Sequence, residues 1–492
     1  MRILVITGKL AKEEVLKAVK GFNVDVFVAD VDVAAFITPA HVEKAPLSSY
    51  DLVLLPGNAK GNWKELEERV GVKIRLGSVH TADLPKILKN LDKIELSHTT
   101  PACKLLSSVI AEEVVEMVNR DREGVANPVR VGSVVIGEGR MKVVAEIVDA
   151  TELSRDELSS KIEYYLESGA DVIDVGVPLS ADAEKAEKAV KLALDCCDAV
   201  SVDTFSYEII RRAVKAGVHM VMSVSKDNLK ALDLIEEQAV VIVSRDVSEL
   251  KKLVDYAKKR GKNVIADCIL DFPLRLYSSL SRYAEFRVVD RETPVLMGAG
   301  NVTELCDADS TGINALLAFI AEEIGVNALF TTEASYKTKG SVKELKVASY
   351  MARAAKLRKT PPKDLGLNLL ALKEKVVVRE DLKEEISKEI SIVNAKPSGF
   401  VRDPKGDFRI FILDEEIVAL HESGIAVKGS AENVCKEVIK LGLISRLDHA
   451  AYIGRELKKA EIAAKLGKSY VQDEELNFGI YSKALDFIKN VS

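Results

Sequence analysis

Asp149, Asp174, Asp203, Asp267 and Asn301 each close a short apolar run or stand one loop beyond it. In a fold that gathers strand ends at one face, these side chains share a single mouth. Burying several carboxylates without partners is costly. One aspartate before a helix, as in Asp203-Thr204-Phe205-Ser206, can serve simply as a cap. The set on one rim reads instead as a ligand site. An ionised Asp accepts two parallel hydrogen bonds from an amidine-like edge of N–H and NH2 donors, and such charge-assisted pairs are strong and oriented. Asn both donates and accepts at other ring atoms. The set therefore suits a flat heterocycle, whereas a phosphate would call for Arg, Lys and backbone N–H groups.

Such a mouth needs strands that end together. Apolar strand signals recur at 143–148, 172–175, 199–202, 220–224, 240–243, 264–266, 295–297 and 328–330. Helical stretches alternate with them, near 156–167, 183–194, 208–215, 228–236, 247–259, 273–284, 311–322 and 342–356. Eight such units in about 215 residues match an eightfold β/α barrel, whose active site lies at the C-terminal ends of its strands. We place this central (β/α)8 TIM barrel at 141–360.

The barrel has neighbours on both sides. In 1–140, MRILVIT, VDVFVAD and YDLVLLPG read as buried parallel strands, with AKEEVLKAVKGF helical between the first two. This is the pattern of a doubly wound, Rossmann- or flavodoxin-like α/β domain. Its loops Thr7-Gly8-Lys9 and Pro56-Gly57-Asn58-Ala59-Lys60-Gly61 read as turns that could hold an anion on backbone N–H groups, though neither matches a dinucleotide or P-loop fingerprint. LLSSVIAEEVVEMV looks helical, and NPVRVGSVVIGEGR looks like a loop. After the barrel, Pro361 and Pro362 break the chain. Residues 373–492 form an α+β domain, with FRIFILDEEIVALH as two strands around an Asp-Glu-Glu turn and two amphipathic helices.

The 492 residues are 47% hydrophobic and 30% charged, which suits a globular protein with sizeable cores. A net charge of -6 argues against a nucleic-acid surface. The six cysteines form no CxxC pair, so neither a disulfide framework nor a structural metal site is expected. No apolar run approaches the ~18 residues that span a bilayer, and the chain reads as cytoplasmic without membrane partners.

GADVIDVG (169–176), AVSVDTF (199–205) and AGVHMVMSVS (216–225), in this order and spacing, resemble the pterin-binding barrel family. Its members include dihydropteroate synthases and methyltetrahydrofolate–corrinoid methyltransferases. ADCILDFP (266–273) stands where the family carries its strand-six Asp. PVLMGAGNVTE (294–304) is similar to the methyltransferase branch, with its G-x-x-N-x-[ST] loop. The whole architecture resembles the archaeal dihydropteroate synthase-related proteins. The resemblance implies that Asp174, Asp203 and Asp267 line a pterin pocket, that Asp267 holds the amidine edge, and that Asn301 contacts the ring near N5. Asp149 joins them at the rim, and Glu333 is a candidate general acid or base beside Asn301.

The departures are as informative. The M-G-I-x-N-V-T-P-D-S-F loop that binds diphosphate and metal in the synthases is VVAEIVDATELS here, with Glu146 and Asp149 but no such asparagine. GAGN replaces S-R-K, FTTEASYKTKG replaces R-V-H-D, and the strand-four asparagine gives way to Met222 or Ser223. Arg245, Lys337 and Lys339 are candidate replacements for the lost positive charge. Two transferase reactions of methanopterin or folate one-carbon metabolism compete. Condensation of a pterin with an arylamine would use Mg2+ on a diphosphate leaving group. Methyl transfer from N5 of a tetrahydropterin needs no metal and takes an acceptor such as a corrinoid protein. His449 is a candidate corrinoid ligand, although a helix-start histidine among apolar neighbours reads more readily as packing. Alternatives are a non-catalytic or regulatory pterin-binding protein, and a barrel that uses its aspartate rim for a divalent metal. Barrels of this family often pair as homodimers.

Overall fold

In the computed structural model, residues 1–178, 180–363, 365–374, 393–396, 399 and 401–479 are described. The chain divides into two compact units, Met1–Glu384 and Glu385–Ser492.

The first unit opens with a parallel sheet of β1 (Ile3–Thr7), β2 (Val24–Val28), β3 (Leu52–Leu55) and β4 (Lys73–Leu76), in the order β2-β1-β3-β4. Alternate residues of β1 and β3 serve two cores. Leu4, Ile6, Val53 and Leu55 pack on one face, and Ile3, Val5, Leu52 and Leu54 on the other. Burial on both faces is why these strands read as unbroken apolar runs. The edge strand β4 alternates charged and apolar residues, so its signal is weaker and the sequence reading missed it.

The stretch expected to be a loop after the helix Ala102–Arg120 is instead a β-hairpin, β5 (Gly124–Val131) and β6 (Val134–Glu138). Its Val129, Val131 and Ile136 share one buried cluster with Val144, Val172, Met220, Val241 and Ile265 from the barrel strands. The hairpin thus stops the lower, N-terminal end of the barrel. Each fully buried Val or Ile contributes about 1.5–3 kcal/mol. Its glycines and its proline hid the alternation: Gly132 turns the hairpin with φ +57, and a Cβ there would sit 1.7 Å from the Asp198 carbonyl oxygen.

The barrel closes in the order expected. Its strands are β7 (Lys142–Ile147), β8 (Val172–Gly176), β9 (Val200–Asp203), β10 (Met220–Val224), β11 (Ala239–Val243), β12 (Asn263–Asp267), β13 (Val295–Gly298) and β14 (Ala328–Thr332), with β14 paired back to β7. Local signals set the helices between them. Ser154 and Glu157 form a capping box at the helix Arg155–Glu167. Gly217 and Gly325 end their helices in the left-handed region. The connection after β10, expected as an α-helix, is a 3-10 segment, Lys226–Asp233. Asn228 breaks it because its side chain turns back to the Ser225 amide and the Ser223 carbonyl. The last barrel helix, Ser341–Arg358, packs on Ala102–Arg120 through Met351, Ala354, Val114 and Val118.

In the second unit, β15 (Phe408–Leu413), β16 (Glu416–His421) and a further strand β17 (Ala426–Gly429) form an antiparallel sheet against the helices Ala431–Lys440 and Leu447–Leu466. Within the expected 373–492 region, 375–392, 397–398, 400 and 480–492 lie outside the described residues. Among the described residues no helix is long and apolar enough to cross a membrane.

Candidate active site

The strand period builds the site. Side chains two apart point the same way, so strands that put Val144, Val172, Ser201 and Ile265 inside the barrel must put Glu146, Asp174, Asp203 and Asp267 there too, one step nearer the C-terminal mouth. Register then makes neighbours of them. Glu146 of β7 lies beside Asp174 of β8, and Gly176 lies beside Asp203 of β9. A Cβ at Gly176 would stand 2.9 Å from the Ile147 carbonyl oxygen and 2.6 Å from a Glu146 carboxylate oxygen, so glycine keeps this approach open.

One carboxylate oxygen each of Glu146, Asp174 and Asp203 falls within 4.8 Å of the others. Asp174 is fully buried; Ser201 donates to its Oδ1, while its Oδ2, like Asp203 Oδ1, has no hydrogen-bond partner among the described residues. Such a cluster disfavours charge. Burial, then Asp203 and Glu146, drives the Asp174 carboxyl well above the usual range. Burial likewise raises Asp203. Burial, then Asp203 and Asp149, pushes Glu146 up to about 7. The three residues hold protons together near neutrality, or hold a cation, or meet the donor edge of a ligand. Glu146 belongs to the site, although sequence reasoning gave it no role. Its signal was available, because it falls two residues after Val144 in the inward series.

Asp267 is built differently. Its Oδ1 accepts from the buried Tyr283 hydroxyl at 2.6 Å and the Ile269 amide at 2.7 Å. Its Oδ2 has no hydrogen-bond partner among the described residues. Burial raises this carboxyl to about 6 against the lowering effect of those two donors. Asn301 stands after β13 in the short helix Gly300–Thr303 and donates Nδ2 to the Leu270 carbonyl at 2.7 Å, tying its loop to the one that follows Asp267. Two aromatic side chains, Phe205 after β9 and Phe272 after β12, are 53% and 45% exposed on the mouth loops.

The remaining candidates do not join the three converging oxygens, although the charge of Asp149 reaches Glu146 from the rim. Asp149 is exposed at the rim in the left-handed region, φ +51. Glu333 is buried, and both its oxygens are engaged: one accepts from the Tyr164 hydroxyl at 2.9 Å, the other caps the last barrel helix at the Val342 amide at 3.0 Å. Arg245 pairs with Asp271, which Arg282 also holds, and Lys337 pairs with Asp307 at 3.0 Å. In the second unit, His449 is buried with Nδ1 3.3 Å from Asp403 and its ring edge-on to Phe408, which is packing geometry.

A parallel eightfold barrel whose carboxylates converge at the C-terminal ends of its strands has the architecture of a small-molecule barrel. Residues 147–302 match the family described as pterin binding enzyme, and residues 402–473 match PterinBD-DUF4346. An uncharacterized protein of Methanocaldococcus jannaschii is 37% identical, over 97% of this chain and 99% of its own length. Similar solved structures include dihydropteroate synthases from Yersinia pestis (15% identical, 47% of this chain and 99% of that one, TM-score 0.38) and Vibrio fischeri ES114 (15%, 48% and 100%, TM-score 0.39). A Thermus thermophilus synthase in complex with 4-aminobenzoate is 18% identical, over 46% and 99%, with TM-score 0.36. The chain belongs to one family with the Methanocaldococcus protein, and its barrel carries the pterin binding enzyme match.

Proposed function

We propose that the barrel is a pterin-dependent transferase of methanopterin or folate one-carbon metabolism that works at N5 of a tetrahydropterin. The observation that carries this reading is the acidic floor of Glu146, Asp174 and Asp203 facing the half-satisfied Asp267. Asp267 Oδ2 accepts from the amidine edge of the ring, and Asn301 and the exposed rim of Phe205 and Phe272 border it. A diphosphate leaving group would meet three carboxyls, while Arg245 and Lys337 are already paired with acids. Methyl transfer from N5 has no anionic leaving group to bind: the N–C bond pair stays on N5, and a proton delivered there leaves a neutral amine. As the methyl leaves for a nucleophilic acceptor, N5 needs a proton, and a carboxyl that titrates near 7, as Glu146 does, carries one at neutral pH.

A second reading has its own support. Three converging carboxylate oxygens suit a hard divalent cation, which would neutralise the floor and let a diphosphate bind. Fluorescence titration with a tetrahydropterin and with a 7,8-dihydropterin, each with and without Mg2+, separates the two. Saturable quenching by the tetrahydropterin without Mg2+ is expected. Binding that requires Mg2+ favours the cation reading, and no saturable quenching by either compound removes pterin binding itself.

A further inference from the structure

The amino-terminal sheet holds a cavity of about 220 Å³ that the barrel chemistry does not use. The sheet order β2-β1-β3-β4 places it. From β1 the chain crosses to β2 on one side, and β3 lies on the other, so the loops leaving β1 and β3 diverge at their carboxyl ends. Open α/β sheets bind ligands at such a switch point. Residues from β1, β3 and the segment after β4 line the cavity, among them Thr7, Asn58, Ser78, His80 and Thr81.

The crevice is fixed by glycines that let backbones touch. A Cβ at Gly8 would come 2.6 Å from the Asp32 carbonyl oxygen, and one at Gly57 would come 2.7 Å from the Val79 nitrogen. The anion cradle considered for these loops is not formed. Lys9, Leu10, Gly57 and Ala59 already donate their amides to the carbonyls of Val31, Asp32, Ser78 and Pro56. Among the described residues no Lys or Arg lines the cavity, and Glu14 is the carboxylate in its lining. A phosphate-rich ligand would find repulsion there and no donor cradle.

What the cavity does offer is hydrogen bonding by side chains. Those of Thr7, Asn58, Ser78, His80 and Thr81 have no hydrogen-bond partner among the described residues, and Thr7 is only 2% exposed. Thr7 alone is buried, at the floor; Ser78, His80 and Thr81 are half-buried along the walls and Asn58 is exposed at the lip, so the polar groups line one edge from floor to mouth, where a ligand or water satisfies them. Around them stand aliphatic walls such as Leu10, Val15 and Leu84. Aliphatic walls with a hydroxyl and amide edge match a flat ring whose faces are apolar and whose rim hydrogen-bonds. The volume lies below the roughly 300–1,000 Å³ of drug-sized pockets, which limits the ligand to about nucleoside size.

We infer that this domain carries a second site, for an uncharged nitrogen heterocycle of nucleoside size, separate from the barrel mouth. Saturation-transfer NMR and calorimetry on the full chain with adenosine, AMP and ATP test it. Adenosine is expected to bind saturably, and AMP and ATP at least tenfold more weakly. Asn58→Leu, at an exposed position with no side-chain hydrogen bond, should leave the melting temperature unchanged and weaken adenosine at least tenfold. Asp267→Asn should leave adenosine binding unchanged. No saturable binding of adenosine to millimolar concentration overturns the site, as does ATP binding more tightly than adenosine. Adenosine binding that Asp267→Asn abolishes, or that Asn58→Leu does not weaken, overturns it as well.

Discussion

Replacing Asp267 with Asn tests the barrel site most sharply, because the structure dictates how the new amide must sit. Two donors, the Tyr283 hydroxyl and the Ile269 amide, converge on Oδ1. The oxygen of the substituted side chain would take that position, which turns its NH2 toward the ligand. A ring edge made of N–H and NH2 donors would then meet a donor. The loss includes a hydrogen bond to a charged acceptor, worth roughly 1.5–3 kcal/mol, plus the new clash of donors. We expect a loss of about 2–4 kcal/mol, roughly 30- to 1,000-fold in Kd. A pH signature accompanies it. The free carboxyl titrates near 6, raised from 3.8, and its protonated form cannot accept both bonds. Wild-type affinity for a tetrahydropterin should therefore fall about tenfold per unit below pH 6, and this component should vanish in the variant. Fluorescence quenching between pH 5 and 8 measures both effects, with circular dichroism as a control for folding. A variant within threefold of wild type, or one that keeps the acid fall, refutes the assignment of Asp267.

Other outcomes follow from the same structure. Glu146 has a folded pKa raised to about 7 from 4.5, so its contribution is present below about 4.5 and is lost as pH rises through 7. Thermal unfolding from pH 5.5 to 8.5 should show wild-type stability falling relative to Glu146→Gln by on the order of 2–3 kcal/mol, and parallel curves would contradict the coupling. Ile136→Ala in the hairpin that stops the barrel should cost about 2–5 kcal/mol in urea unfolding, because Ile136 is fully buried; a cost under about 1 kcal/mol would mean that the hairpin is a dispensable cover. Lys337→Ala should leave tetrahydropterin affinity within twofold, since Lys337 is held by Asp307, and a larger loss would return it to the site.

Much of this was legible in the residues. Eight apolar runs, each followed by a helical stretch, determine a β/α barrel, because a parallel strand buried on both faces must be apolar and must return through a helix. The aspartates at the ends of these runs were visible for the same reason, and so was the end of the last barrel helix ahead of Pro361 and Pro362. Three things were decided only by the fold. The first is which carboxyls meet: register between β7, β8 and β9 brings Glu146 to Asp174 and Asp203, whereas Asp149, three residues further on, turns out to the rim. The second is charge pairing. Arg245, Lys337 and Glu333 carry the right chemistry for a site, but Asp271, Asp307 and the amide of Val342 claim them across gaps of 26, 30 and 9 residues that spacing alone cannot reveal. The third is the stopper: β5 and β6 read as a loop because their apolar residues face a barrel interior supplied by other strands. A sequence states what each residue can do; which partners reach it depends on contacts between segments far apart in the chain.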